Sequence, residues 1–258
     1  MYPRMEFRVG GQRVAISVPT WAALQARVTE RLAQRQGFAL ATINLDHLVK
    51  LSRSAKFRAA YAAQDLVVAD GNPIVWLSRL AGRPVELIPG SDAILPLARI
   101  AAKQGIGVAL VGSTPAALSR ARSYLEREVR DLSVVCLIAP PMGFDPEAAE
   151  ARPIFDEITA SRAGLCFVAL GAPKQEMFAA VGRELAPNVG FAGIGAGLDF
   201  LAGTQQRAPA WTRKLALEWL WRAANSPGRL GLRYLHCLSI LPAQSARALL
   251  LRFFTLRP

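Results

Sequence analysis

Val168-Ala-Leu-Gly-Ala-Pro-Lys-Gln-Glu176 reads as a buried strand that stops at Gly171 and turns straight into a helix opened by Pro173. At such a corner the unpaired N–H groups of the helix N-terminus face outward and favour anions. Lys174, Gln175 and Glu176 cluster at this mouth, with no apolar residue between them to bury. Val67-Val-Ala-Asp-Gly71 makes a second corner and offers Asp70 in the same way. Two such corners imply a site at the strand ends of an α/β sheet, with a carboxylate and an amide in it.

The same alternation extends in both directions. Residues 5–18 form short alternating runs around Gly10-Gly11 and predict a β-hairpin. Thr20 caps an amphipathic helix to about residue 36, with Ala23, Leu24, Val28 and Leu32 on one face. Strands are predicted at 38–43, 66–69, 107–111, 132–137, 165–170 and 189–194. Helices fall between them, up to residue 63, then at 73–80, 115–129, 146–160 and 173–185. This order gives an α/β fold, a mostly parallel sheet with helices on both faces. After Gly203 the strand signals stop. Residues 209–224 and 228–254 read as helices broken at Ser226-Pro227-Gly228. The chain therefore divides into an α/β core, 1–203, and a helical appendage, 204–258.

The 258 residues suit one large domain, or one domain with a small appendage. Apolar residues make up 52% and mean hydropathy is +0.23, which points to a membrane-facing surface. No window offers the ~18 uninterrupted apolar residues of a spanning helix, and Met1-Tyr-Pro-Arg-Met-Glu6 lacks an apolar signal core. Cys136, Cys166 and Cys237 sit in apolar runs, as free thiols of a reducing, cytoplasmic compartment do. Net charge is +12, and from Thr204 onward nine basic residues face one acid, Glu218. Trp211, Trp219, Trp221, Tyr234, Phe253 and Phe254 interleave these cations. Cationic and apolar faces together favour an anionic membrane surface, and no nucleic-acid partner is expected.

Four corners place polar groups beyond the carboxyl ends of strands, where parallel α/β sheets bind ligands. They are Thr42-Ile-Asn44, Asp70-Gly71, Gly171-Ala-Pro-Lys-Gln175 and Gly193-Ile-Gly195-Ala-Gly197. Asp70 beside a tight glycine turn could serve as a general base or simply cap the next helix. Asn44 could be a polar group of the site or simply a helix cap, and Gln175 could equally be an ordinary first-turn residue. Gly112-Ser-Thr114 offers a phosphate contact or a structural turn. The Gly193–Gly197 glycines follow a late strand, and the nearest acid, Asp199, lies two residues past them. A dinucleotide fingerprint instead needs the first βα turn and an acid ~20 residues on. His47 and His236 match no metal-ligand spacing, and no Asp-x-Asp triplet occurs. A diphosphate ligand would then be neutralised by side-chain cations, for which the C-terminal arginines are the obvious stock.

These blocks, taken in order, are distinctive: Thr42-x-Asn44, Ala69-Asp70-Gly71, Pro89-Gly90-Ser-Asp92, Leu170-Gly-Ala-Pro-Lys-Gln-Glu176, Gly193-x-Gly195-Ala-Gly-Leu-Asp-Phe200, Ala202-Gly203, Arg207-Ala-Pro209-x-Trp211 and Leu217-Glu-Trp219-x-x-Arg222. From about residue 38 to 235 the chain resembles the WecG/TagA/CpsF family of glycosyltransferases, family 26. The resemblance implies a Rossmann-like core with a C-terminal helical appendage, the GT-E type. It implies transfer of a hexosyl group from a UDP-sugar to an undecaprenyl-diphosphate-linked saccharide, with inversion. The sugar would be glucose, ManNAc or ManNAc uronic acid, and the place the cytoplasmic face of the plasma membrane, where the protein is peripheral.

By the same resemblance Asp70 is the general base, and Thr42, Asn44 and Gln175 line the pocket. Appendage arginines Arg222, Arg229 and Arg233 engage the donor diphosphate. Gly71, Gly112, Gly171, Lys174, Gly195 and Arg207 complete the expected substrate contacts. No metal or other cofactor is expected, and self-association is left open. Relatives often carry Arg ahead of the turn that here reads Leu87-Ile88-Pro89-Gly90, so a cationic contact is lost or replaced in this chain. Two readings from other classes compete, an NAD-dependent Rossmann oxidoreductase and a non-catalytic membrane-associated scaffold.

Overall fold

A computed structural model describes residues 4–206, 208–209, 212, 221 and 227–254. The chain opens with an antiparallel hairpin, β1 (Glu6–Val9) and β2 (Gln12–Ala15), turning at Gly10-Gly11. Helix α1 (Trp21–Ala33) starts at Thr20, whose hydroxyl accepts from the Ala23 N–H at 3.1 Å. There follow β3 (Phe38–Ile43), α2 (Leu45–Arg53), α3 (Ala55–Ala62), β4 (Leu66–Ala69), α4 (Asn72–Leu80), α5 (Gly90–Lys103), β5 (Gly107–Gly112) and α6 (Pro115–Glu128). Then come β6 (Val134–Ile138), α7 (Arg152–Ala160), β7 (Ala163–Ala169), α8 (Lys174–Leu185), β8 (Gly190–Gly193), α9 (Gly197–Leu201) and the long α10 (Pro227–Phe254).

Six strands form one sheet in the order β4-β3-β8-β7-β5-β6, parallel at every pairing. All six residues of β3 are buried, as expected of a central parallel strand covered on both faces. Its side chains alternate. Phe38 and Leu40 enter a cluster with α1, α5, α6 and α9, while Ala41 and Ile43 meet α2, α4, α10 and the hairpin. A third cluster puts Ala39, Val168 and Phe191 under α7 and α8. The fold is thus Rossmann-like, with helices on both faces.

Two features position the strand ends. From β7 the chain crosses towards β8, whereas from β5 it crosses the other way to β6, so neighbouring β7 and β5 form the switch point where such sheets open a crevice. Beyond β4, Leu87 makes a parallel bridge to Ala69 and the Ile88 N–H donates to the Ala69 carbonyl at 2.7 Å. The segment before α5 is thereby drawn to the carboxyl end of the sheet.

Helix α5 has no counterpart in the sequence reading. Gly90 opens it and Pro96 lies inside it, both of which argue locally against a helix. Burial of Ile94, Leu97, Ala98 and Ala101 in the first cluster overrides that signal. The helix expected from 146 starts at Arg152 instead. Asp145 accepts from the Glu147 N–H at 3.0 Å, and this side-chain turn, followed by a 3-10 turn at Ala149–Ala151, delays it. Most of the helix expected at 209–224 lies outside the described residues.

Candidate active site

Each corner named from the sequence lies at the carboxyl end of the sheet. At the end of β3, Asn44 caps α2, its Oδ1 accepting from the His47 N–H at 2.9 Å. Thr42, just before it in β3, is buried opposite Val68 of β4. Asp70 directly follows β4, half-buried, with its N–H bonded to the Ile43 carbonyl at 2.8 Å. Gly71 is the N-cap of α4 at φ +98, a left-handed geometry that a side chain would strain. A Cβ placed on it would lie 4.0 Å from the Asn44 Cβ, so the first two corners are neighbours.

The corner that opened the sequence reading differs from expectation. Lys174 is part-exposed, but Gln175 and Glu176 are 2% and 1% exposed. Gln175 uses its whole amide inside the protein. Its Oε1 accepts from the Gly195 N–H at 3.1 Å and its Nε2 donates to Glu176 Oε1 at 2.8 Å. It therefore ties the start of α8 to the turn after β8. Gly171, at the tip, is exposed. A Cβ on Gly90 would fall 2.9 Å from the Ile194 Cα, so the Pro89-Gly90 block is pressed against that same turn.

Under these corners runs a buried polar chain that sequence reasoning missed. His47 Nδ1 lies 2.7 Å from the Tyr61 hydroxyl, which donates to the Thr42 carbonyl at 3.4 Å. Glu176 Oε1 is 3.9 Å from His47 Nδ1, and Glu176 Oε2 has no hydrogen-bond partner. Burial raises the Glu176 carboxyl to about 7 and lowers His47 to about 3, nearby Lys50 adding to the latter. Both are therefore held towards their neutral forms, as low-dielectric surroundings require. The Tyr61 phenol is pushed up by burial and by the charges of Glu176 and Asp70. The only sequence signal for His47 was its spacing of three from the capping Asn44.

Gly112 and its neighbours lie further away. Four strand spacings separate β4 from β5, roughly 19 Å, so Gly112 cannot touch the same atom as Asp70. Gly112 has φ +115, and a Cβ there would meet the Ala169 carbonyl oxygen at 2.4 Å, so its glycine serves close strand packing at the switch point. Ser113 donates to Asp199 Oδ1 at 2.6 Å, and Thr204 and Gln205 donate to the same carboxylate at 3.1 and 3.3 Å. Asp199 is thus occupied in joining α9 to the loop after β5 and to the loop that follows α9, and offers little to a ribose. A Cβ on Gly197 would lie 2.5 Å from Ile94 Cδ1, which makes that glycine a packing residue between α9 and α5.

From the far end of the chain, α10 packs on α2 and α4, burying Cys237 and Ala248. Arg233 reaches Asp46 on α2 at 3.7 Å, and Asp46 also holds Lys50 at 2.9 Å. Arg229 lies within α10, while Arg207 and Arg222 are outside the described residues. Between α2 and α10 a cleft of about 440 Å³ opens beside Pro173. Among the described residues no three His, Cys, Asp or Glu side chains are grouped to hold a metal ion, and no helix is long and apolar enough to cross a membrane.

Comparison with known proteins supplies a further finding. The model of a family described as "Glycosyl transferase WecG/TagA/CpsF family" matches residues 9–253. The chain is also 28% identical over 202 residues to an N-acetylglucosaminyldiphosphoundecaprenol N-acetyl-beta-D-mannosaminyltransferase of Bacillus spizizenii, covering 78% of this chain and 76% of that one.

Proposed function

The chain belongs to the WecG/TagA/CpsF family of glycosyltransferases, and on that premise we propose that it moves a hexosyl group from a UDP-sugar to a lipid-diphosphate-linked saccharide, with inversion. The observation that carries this reading is the meeting of Asp70, Asn44 and Gly71 at adjoining strand ends. The relative from Bacillus spizizenii is named for a diphosphoundecaprenol-linked acceptor, which supports an acceptor of that class here. ManNAc is the first sugar to try, ahead of glucose and ManNAc uronic acid.

Asp70 takes the proton of the acceptor hydroxyl as that oxygen attacks the anomeric carbon from the face opposite the leaving UDP. Its position after a buried strand fixes the carboxylate, while the glycine behind it leaves the approach open. Gln175 sets the Gly195 turn, and Thr42 and Asn44 shape the wall next to Asp70. The donor extends from the β5–β7 crevice, near Gly112 and Gly171, towards Asp70. Cations, with Lys174, Arg207, Arg222 and Arg229 foremost, stabilise the departing diphosphate, as placed charge does for any developing anion. No metal takes part in this scheme. Residues 204–258 complete the site and hold the protein on an anionic bilayer as a peripheral protein of the cytoplasmic face. The outer face of α10 supports this, since Leu235, Leu238, Leu249 and Phe253 are all exposed along it.

The test is a panel of UDP-sugars with a short-chain polyprenyl-diphosphate N-acetylglucosamine acceptor, run with and without EDTA. The expected result is a lipid-linked disaccharide of inverted anomeric configuration, formed equally well in EDTA. Chelator inhibition reversed by Mg²⁺ or Mn²⁺ would contradict the metal-free scheme, and no product from any UDP-sugar would contradict the donor class.

A further inference from the structure

The cleft between α2 and α10 has a definite chemical character. Each wall presents two basic side chains one helical turn apart, Lys50 and Arg53 on α2, Arg233 and His236 on α10. One acid, Asp46, faces them and is shared between Lys50 and Arg233. Lys50 is held further by the Ala172 carbonyl at 2.9 Å, which fixes its ammonium at the cleft. Among the described residues, the side chains of Arg53 and His236 make no hydrogen bond or ion pair, and both are exposed. The base is apolar, formed by Val49, Phe57 and Pro173. A volume of about 440 Å³ falls within the ordinary range of ligand sites.

Cationic walls over an apolar base suit a ligand that is a diphosphate at one end and a hydrocarbon at the other. Both ends of the cleft have somewhere to lead. Pro173 precedes Lys174 and Gln175, and Asp46 lies two residues from Asn44, so the inner end adjoins the corners that hold Asp70. His236 is flanked by Leu235 on the exposed apolar face of α10, 63% exposed, so the outer edge adjoins the surface that would face a bilayer.

We propose that this cleft seats the diphosphate of the polyprenyl-linked acceptor, with the first prenyl units over Pro173 and the apolar base beneath it. The proposal rests on the transferase reading above and adds the place where the acceptor, rather than the donor, is held. Arg233 then serves the acceptor diphosphate instead of the departing UDP. The bond made and broken in the reaction is unchanged, since the acceptor diphosphate is carried through intact.

The experiment is calorimetric titration of the full chain with farnesyl diphosphate, inorganic pyrophosphate and UDP, for the wild type and for Arg53→Ala/His236→Ala. Both substituted side chains are exposed, and an unchanged melting temperature with Arg53→Lys as a charge-preserving control separates binding from folding. The wild type should bind farnesyl diphosphate at least tenfold tighter than pyrophosphate, because the base contributes. Loss of charge-assisted contacts to a diphosphate should weaken farnesyl diphosphate binding roughly tenfold or more, leave UDP unchanged, and be recovered in part by the lysine. Unchanged farnesyl diphosphate affinity in the double variant would overturn the proposal. Equal loss for UDP would hand the cleft to the donor and overturn it as well, and equal wild-type affinity for pyrophosphate would reduce it to a general anion site. A wild type that binds farnesyl diphosphate as expected yet transfers no sugar would keep the cleft and remove the transferase reading. One that transfers sugar without binding it would do the reverse.

Discussion

The corner where β7 meets α8 and the outer face of α10 are built on opposite rules. At the corner, polar side chains are buried: Gln175 and Glu176 are turned inward and tied to Gly195 and towards His47. On α10, apolar side chains are exposed, Phe253 at 64% and Leu250 at 54%. Burying hydrogen-bonding groups costs free energy unless their partners are set, so such a chain fixes one geometry. Leaving a row of leucines in water costs free energy too, and is most readily explained by a surface that covers them. On the proposed reading, the first region holds the chemistry still and the second brings the molecule to its substrate.

The largest effect expected from breaking this contrast is on the α10 face. Leu238→Ser/Leu249→Ser/Phe253→Ser removes three exposed apolar groups, each contributing up to roughly 1.5–3 kcal/mol if fully buried in lipid. Binding to phosphatidylglycerol vesicles, followed by sedimentation, should fall by about two to three orders of magnitude, while circular dichroism stays unchanged. High salt should weaken wild-type binding as well, since screening removes the cationic share. A triple variant that sediments as before would move the membrane contact elsewhere, with the N-terminal hairpin next in line. These surface substitutions are cleaner than deleting residues after 203. The inner face of α10 covers part of the core through Cys237 and Ala248, so deletion would strip two surfaces at once.

A smaller effect is expected from the buried corner. Glu176 binds its proton more tightly folded, at about 7, than at its ordinary 4.5. Its stabilising contribution is therefore complete below pH 4.5 and is lost as pH rises through 7. The loss amounts to up to about 3 kcal/mol, because each tenfold change in proton affinity corresponds to roughly 1.4 kcal/mol. His47, depressed to about 3, acts in the other direction. Its contribution is complete above pH 6.5 and is lost as pH falls through 3. Glu176→Gln keeps the amide-accepting oxygen and removes the titration. Urea midpoints between pH 4 and 8 should then lose the decline on the neutral side and keep the one on the acid side. An unaltered slope between pH 4.5 and 7 in the Gln variant would show that Glu176 is charged in the folded protein.

Most of the framework was legible because it depends on local rules. Strands 38–43 and 66–69 agree with β3 and β4 residue for residue, since a run of apolar residues ended by Asn44 or Asp70 leaves little choice. Thr20 and Asn44 cap as their residue types suggest. What escaped depends on tertiary packing. Helix α5 contradicts its own Gly90 and Pro96 and is held by apolar burial from elsewhere. The inward turn of Gln175 and Glu176 follows from partners on other elements, Gly195 20 residues on and His47 far back in the chain on α2, which no periodicity reveals. The cleft pairs Lys50 and Arg53 with Arg233 and His236 across most of the chain, and each pair alone is an ordinary basic helix surface.

Everything proposed for the strand ends depends on Asp70 accepting a proton there. The direct measurement is the single-turnover rate of sugar transfer by Asp70→Asn, with UDP affinity titrated on the same preparation. The substitution preserves shape and removes basicity, and loss of a general base typically costs ~10²–10⁴-fold in rate. The account predicts that loss with UDP affinity unchanged. A rate close to that of the wild type would contradict it and leave Asp70 a structural residue of the turn between β4 and α4.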